Sequence, residues 1–212
     1  DNRDIWSLCD HNVAYQVNLK EAINKDWLVP FRYYGICDTV DYDEIEMKNG
    51  RYNLEQLEKA LSTPDRADLV FKHYRAYRNR KALGFCASIG HAEKMTEYFR
   101  DQGIKAVVVH SKSDSQCKYQ MERERAIEQL KDRTIDIIFS VDMFNEGVDI
   151  PIVDLVLFLR PTESNIIFLQ QLGRGLRKFE DKDHLVVLDF IGNYKNVEMK
   201  FNFFADDIAA DE

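Results

Sequence analysis

Residues 136–177 read DIIFSVDMFNEGVDIPIVDLVLFLRPTESNIIFLQQLGRGLR. Two apolar runs frame this stretch, IDIIFS at 135–140 and VDLVLFL at 153–159. Continuous apolar runs of this length read as strands buried on both faces, the habit of parallel sheets. Each run gives way to polar, glycine-containing sequence. After the first comes Asn145-Glu146-Gly147-Val148-Asp149-Ile150-Pro151. After the second, a helical segment beginning near Ser164 ends in Gln170-Gln171-Leu172-Gly173-Arg174-Gly175-Leu176-Arg177. Ligands of open parallel sheets bind at the C-terminal ends of the strands, so a mononucleotide site is the first expectation.

The surrounding sequence continues the pattern. Ala82 to Ser88 reads as a strand, and Gly90 to Gln102 as a helix with Ala92, Met95 and Phe99 inward. Lys105 to Val109 is the next strand, Ser111 to Cys117 a polar loop, Lys118 to Lys131 a helix, and His184 to Phe190 a last strand. Strands alternating with helices across short loops give an α/β fold, a parallel sheet flanked by helices. Upstream, Lys20 to Leu28 reads as a short helix stopped by Pro30, and Phe31 to Cys37 is strand-like. An acidic segment spans Asp38 to Glu46. Asn53 can cap a helix running to Leu61 on Leu54, Leu57 and Leu61, and Thr63 or Asp65 can cap another running toward Arg78. In that second helix Val70, Tyr74 and Tyr77 share a face, flanked by Lys72, Arg75, Arg78, Arg80 and Lys81. That flank reads as solvated surface or as a contact for a phosphate backbone. The expected organisation is a mostly helical extension at 1–80, an α/β domain at 81–194 and a tail at 195–212.

The chain has 212 residues, 45% of them apolar, enough for one large domain or one domain with an appendage. No apolar run approaches the roughly 20 residues needed to span a bilayer, so no membrane partner is expected. Cys9, Cys37, Cys86 and Cys117 are widely spaced with no CxxC pair. Reduced thiols, a cytoplasmic location and no metal site are the expectation. The formal charge of -8 argues against a free-standing cationic nucleic-acid binder, though not against a local basic groove. A first residue that is Asp rather than Met suggests a fragment.

Arg174 and Arg177 are three apart and would project from one side of a helix. A guanidinium stays charged and its fork of donors suits phosphate oxygens. Beside glycine at the head of an α/β layer, the pair fits capture of a γ-phosphate. A solvated basic helix accounts for the spacing equally well. Gly147 permits close backbone approach to a ligand, and Asp149 could bond a ribose hydroxyl or orient an arginine, yet an ordinary turn has the same composition. The Ser, His, Asp and Cys residues show no order that marks a covalent nucleophile.

FNEGVDIP followed by QQLGRGLR resembles motifs V and VI of superfamily 2 helicases and translocases. The run from about Ala82 to Asn193 resembles their second RecA-like lobe. It is similar above all to the DEAD/DEAH-type helicase subunits of type I and type III restriction enzymes. LGFCASIGHAEKMTEYF resembles the motif IV region, and LRPTES and VLDFIGN fall where that family has recurrent elements. Asn12 to Tyr52 resembles the linker after the first lobe. The resemblance implies that Arg174 and Arg177 act on an ATP held mainly by the other lobe. It implies that Gln170, Gly147, Asp149 and Gly173 lie near that nucleotide. It places Ser140 and Asn145 on the nucleic-acid backbone, with Ser88, Gly90 and His91 in the first strand-to-helix loop and His110 and Ser111 after the second strand as further contacts. His91 also reads as a helix-start residue with no ligand. Gln171 stands where the family often has another arginine, which puts one contact to DNA or to the other lobe in question.

Two absences complete the reading. The sequence holds no GxxxxGK[ST] and no DEAx box after a strand. ATP and Mg2+ are therefore expected only in a full-length protein whose N-terminal RecA-like lobe supplies the phosphate cradle. DNA is the expected track, with RNA open, and a restriction or nuclease domain is a possible partner. Two other readings stay open: a non-catalytic interaction domain derived from a helicase lobe, and a stand-alone nucleotide or phosphosugar enzyme with a flavodoxin-like sheet. On the leading reading, the purified chain should hydrolyse ATP far more slowly than the about 1–100 per second typical of phosphoryl-transfer enzymes such as kinases. A coupled ATPase assay checks this directly.

Overall fold

The computed structural model describes residues 19–38, 40–48, 51–111, 117–141, 150–161 and 173–190. The helix expected from near Ser164 and the tail at 195–212 lie outside the described residues. In chain order the elements are α1 (Leu19–Asn24), β1 (Phe31–Gly35), β2 (Met47–Lys48), β3 (Arg51–Tyr52), α2 (Leu54–Leu61) and α3 (Pro64–Tyr74). There follow β4 (Ala82–Phe85), α4 (Ile89–Asp101), β5 (Ala106–Val109), α5 (Arg123–Lys131), β6 (Ile137–Ser140), β7 (Leu155–Phe158) and β8 (Leu185–Asp189).

Six strands form one sheet in the order β1-β8-β7-β4-β6-β5. Every pairing in it is parallel. Strands β4 to β8 are buried along their whole length, which is why they read as unbroken apolar runs. Successive side chains still part to opposite faces. Leu83, Phe85, Val107, Ile138, Val156 and Val187 pack with Ala126 and Leu130 of α5. Ala82, Val108, Phe139, Leu157 and Leu188 pack on the other face with Ala92, Met95 and Phe99 of α4 and Val70 and Tyr74 of α3. Gly84 is required here, because a Cβ at that position would stand 2.7 Å from Cδ1 of Phe139 on the neighbouring strand. The outer strand β1 belongs to the stretch ahead of residue 80, and it pairs with β8 from Phe31↔Leu185 to Gly35↔Asp189.

Local signals account for the helix starts. Asn53 Oδ1 accepts from the N–H groups of Glu55 and Gln56, and Thr63 caps α3 ahead of Pro64. Leu57 and Leu61 are buried, but Leu54 is exposed. The helix expected from Lys118 begins only at Arg123. Residues 119–121 instead bond across to the sheet, with Val108 donating to Tyr119 O and Met121 donating to Val108 O. Extended pairing there removes the first helical turn. The upstream helix is likewise shorter than expected, ending at Asn24.

Two arginines of the stretch ahead of β4 turn inward. Arg66 on α3 is paired through Nε to Asp38 Oδ2 at 2.5 Å, with side chains 1% and 0% exposed. Its Nη2 donates to Leu159 O at 3.0 Å and Phe190 O at 3.2 Å, the residues just past β7 and β8. Arg80 Nη1 donates to Asp154 O and His184 O, both at 3.2 Å, just ahead of the same two strands. The reading of Arg80 as solvated or phosphate-facing is therefore corrected, since it bridges main-chain carbonyls. Removing one partner of a buried pair leaves an uncompensated charge, which costs about 3–5 kcal/mol. Arg66→Met should lower the urea-unfolding free energy by about that amount. Adding Asp38→Asn should cost less than the two single changes summed, the signature of a coupled pair.

Candidate functional site

The described part of the arginine segment is helical at residues 173–176 and is followed by Arg177 in an antiparallel bridge to Leu28. The last carbonyls of a helix have no partner within it, and here they are satisfied from outside. Gly175 O and Arg177 O accept from Lys182 Nζ, and Leu176 O accepts from the Val29 N–H at 2.8 Å. Lys178 pairs with Asp26. Arg174 is half-buried and the Arg177 side chain is exposed. The two nearby glycines differ. A Cβ at Gly175 would stand 3.0 Å from the Leu185 side chain, whereas one at Gly173 would meet nothing within 4 Å. Gly175 is thus there for packing, and Gly173 faces open space.

The remaining described candidates gather at the other end of the sheet. Ser88, Gly90 and His91 follow β4, His110 and Ser111 follow β5, and Ser140 ends β6, in register with Phe85 and Val109. The arginine turn lies instead near the first residues of β1 and β8. Four strand steps of about 3.3 Å separate the two edges by about 13 Å. The expectation that all nucleotide-facing groups collect at C-terminal strand ends does not extend to the arginine turn. Gln170, Gly147, Asp149 and Asn145 lie outside the described residues.

Within the C-terminal edge, Ser88 caps α4: its Oγ accepts from the His91 N–H at 3.1 Å and its hydroxyl donates to Glu58 on α2. The same carboxylate lies against Gly90, where a Cβ would overlap it. Ser140 and His110 are buried and Ser111 is exposed. Tyr33 donates its hydroxyl to Asp189 at the end of β8, and burial and that carboxylate push its phenol up. Burial likewise pushes the Cys86 thiol up to about 12, a packed and unreactive group. Among the described residues no cluster of His, Cys, Asp or Glu could hold a metal ion, and no helix is long and apolar enough to cross a membrane.

Sequence reasoning missed Glu58, Asp38, Arg66, Gly175 and Lys182. Each meets its partner in another element of the fold, so no spacing within its own element announces it. His91 is fully buried, its Nδ1 accepting from the Ala87 N–H at 3.3 Å. That bond keeps the ring neutral. Burial first, then the charges of Arg66 and Lys94, hold its pKa well below the usual value near 6.5. A histidine depressed in the folded state takes up its proton more readily when unfolded. Its stabilising contribution is complete above about pH 6.5 and declines as pH falls from there toward the folded pKa, with a slope of up to about 1.4 kcal/mol per pH unit. Denaturation midpoints measured from pH 7.5 to 5 should fall less steeply in His91→Gln than in the wild type.

Residues 53–179 match the helicase conserved C-terminal domain. The chain is 27% identical over 196 residues to the "Putative ATP-dependent helicase IRC3" of Saccharomyces cerevisiae, covering 91% of this chain and 28% of that protein. Among solved structures, the fragment of a "putative HsdR subunit of a type I restriction enzyme" from Vibrio vulnificus YJ016 is similar with a TM-score of 0.67. It is 21% identical, and the match covers 92% of this chain and 38% of that one. The ATP-dependent Type ISP restriction-modification enzyme LlaBIII bound to DNA is similar with a TM-score of 0.57 and 20% identity, over 89% of this chain and 14% of that one. These likenesses show a shared RecA-like fold, and the chain spans less than two fifths of each of these relatives. A match running across more than half of the chain, through α2 to the arginine turn, decides the family: the protein belongs to the helicase conserved C-terminal domain family.

Proposed function

We propose that this chain is the second motor lobe of an ATP-dependent DNA helicase or translocase. In this reading Arg174 and Arg177 stabilise charge on the phosphates of an ATP held mainly by a first RecA-like lobe of the same protein. The observation that carries it is the arginine turn itself. Three consecutive carbonyls, of Gly175, Leu176 and Arg177, are fixed by donors from outside the turn, while the Arg177 side chain is exposed and Gly173 faces open space. A fixed backbone under an outward guanidinium is what a preorganised anion contact requires.

The residues present fit a phosphate-facing role and not a nucleotide-holding one. Gly173 leaves room for a phosphate and Arg177 supplies donors, but the sequence has no P-loop and the described residues no acidic cluster for Mg2+. ATP supplies the phosphoanhydride bond whose cleavage drives the cycle. This chain's part is to place cations when the lobes close and to release them when they open. Gln170, Gly147 and Asp149 would line the same nucleotide. The nucleic-acid track would follow the C-terminal edge, with Ser88, Gly90, His110, Ser111, Ser140 and Asn145 contributing and His91 bracing the first loop from beneath. The 142–149 segment runs in sequence from β6, which ends at the C-terminal edge, to Pro151 beside the arginine turn, and would couple track to nucleotide. The likeness to a restriction-modification enzyme solved bound to DNA supports DNA as the track and a nuclease domain as a partner.

In the parent protein with both lobes, Arg177→Ala is expected to lower DNA-stimulated ATP turnover by about 10³-fold or more, with DNA affinity nearly unchanged. Steady-state hydrolysis and fluorescence-anisotropy titration measure the two. Equal turnover in variant and wild type overturns the assignment.

A further inference from the structure

The backbone around the two arginines is held by a residue outside every motif the resemblance singles out. Lys182 lies between the arginine turn and β8. Its Nζ donates to Gly175 O at 2.5 Å, Pro151 O at 2.8 Å and Arg177 O at 3.3 Å. An ammonium has three donors and no acceptor, and here it meets three main-chain oxygens. The oxygens come from two segments that are separate in sequence. Gly175 and Arg177 belong to the arginine turn. Pro151 follows the 142–149 segment, which carries Gly147 and Asp149, and precedes β7.

We propose that Lys182 is a positioning residue that locks the arginine turn to Pro151, where the chain enters β7, and so holds Arg174 and Arg177 in place against the sheet. The inference rests on the reading of Arg174 and Arg177 as ATP-facing. Its physical basis is independent of that reading. The carbonyls that close a helix have no partner within it. The main chain of Val29 takes the middle carbonyl, and Lys182 takes the two on either side. A cation also suits the carbonyl end of a helical turn. Arginine could keep the charge, but its planar fork does not converge three donors from one centre. Methionine keeps the stem and removes every donor.

The test uses the parent protein carrying both lobes. Lys182→Met is expected to lower kcat for DNA-stimulated ATP hydrolysis about 10–100-fold, as for a reacting group displaced by about an ångström. KM for ATP and DNA affinity should stay within about twofold, and Lys182→Arg should recover part of the loss. Arg177→Ala is the reference. If it abolishes turnover while Lys182→Met retains wild-type kcat, the positioning role is overturned and the arginine reading stands. If Arg177→Ala turns over like wild type, the arginine reading itself is overturned. An equal fall in kcat and DNA affinity with a lowered melting midpoint also overturns the proposal, because it marks Lys182 as general support of the fold. Should Lys182→Met fail to fold, Lys182→Gln and amide hydrogen exchange decide. Exchange at residues 174–177 about tenfold faster than wild type supports the lock, and unchanged exchange overturns it.

Discussion

Strands β7 and β8 are clamped at both ends by arginines that donate to main-chain carbonyls. Arg80 spans Asp154 O and His184 O ahead of the strands, and Arg66 spans Leu159 O and Phe190 O beyond them. The ends of a parallel pair are where ladder hydrogen bonding runs out, and a buried carbonyl there must find a donor or carry a desolvation cost. Neighbouring strands lie about 4.8 Å apart, within reach of a single guanidinium. Each arginine therefore satisfies two carbonyls and fixes the spacing of two strands at once. Asp38 neutralises the buried member of the pair.

Both clamps come from the stretch ahead of the regular strand-helix alternation, and they are not its only contribution. Strand β1 extends the sheet beside β8, Pro30 O accepts from the Leu185 N–H, and Leu28 and Val29 bond to Arg177 and Leu176. Glu58 on α2 sits against the cap of α4. The arginine turn is thus built on residues 26–30 on one side and Lys182 on the other. Loosening the upstream stretch would reach both edges of the sheet at once.

The sheet was legible because its strands are buried on both faces: LVLF and IIFS admit no other economical reading once flanked by helical periodicity. The helix caps at Asn53 and Thr63 followed from local chemistry, since a cap is satisfied within three residues, whereas Ser88 read as a strand end and proved to be the cap of α4. What could not be read was whatever depends on distant partners. Arg66 sits in a helix beside Asp65 and Asp68 and looks like ordinary solvated charge. Only the meeting of 38, 61, 159 and 190 in space buries it. Asp38 was hidden inside an acidic run for the same reason. The late start of α5 was invisible because residues 119–121 have acceptable helical composition, and a pairing to Val108 wins over propensity. The pattern singled out the arginines as candidates but not the edge of the sheet they occupy, because a helix preceding a strand can deliver its last turn to the opposite end.

The choice of ligands for these cations has an electrostatic consequence. The hydrogen bonds that Lys182 makes around the arginine turn go to neutral carbonyls. A carboxylate in that place would hold the lysine as firmly and cancel its charge. Carbonyl dipoles orient the ammonium and add no net negative charge of their own beside Arg174 and Arg177. In a chain with a net charge of -8, that keeps a local concentration of positive potential where the overall field is repulsive to phosphate. Fixed dipoles need no reorganisation when an anion arrives, so the field is already in place when charge develops. Rigidity and charge at the turn are therefore supplied by the same three hydrogen bonds.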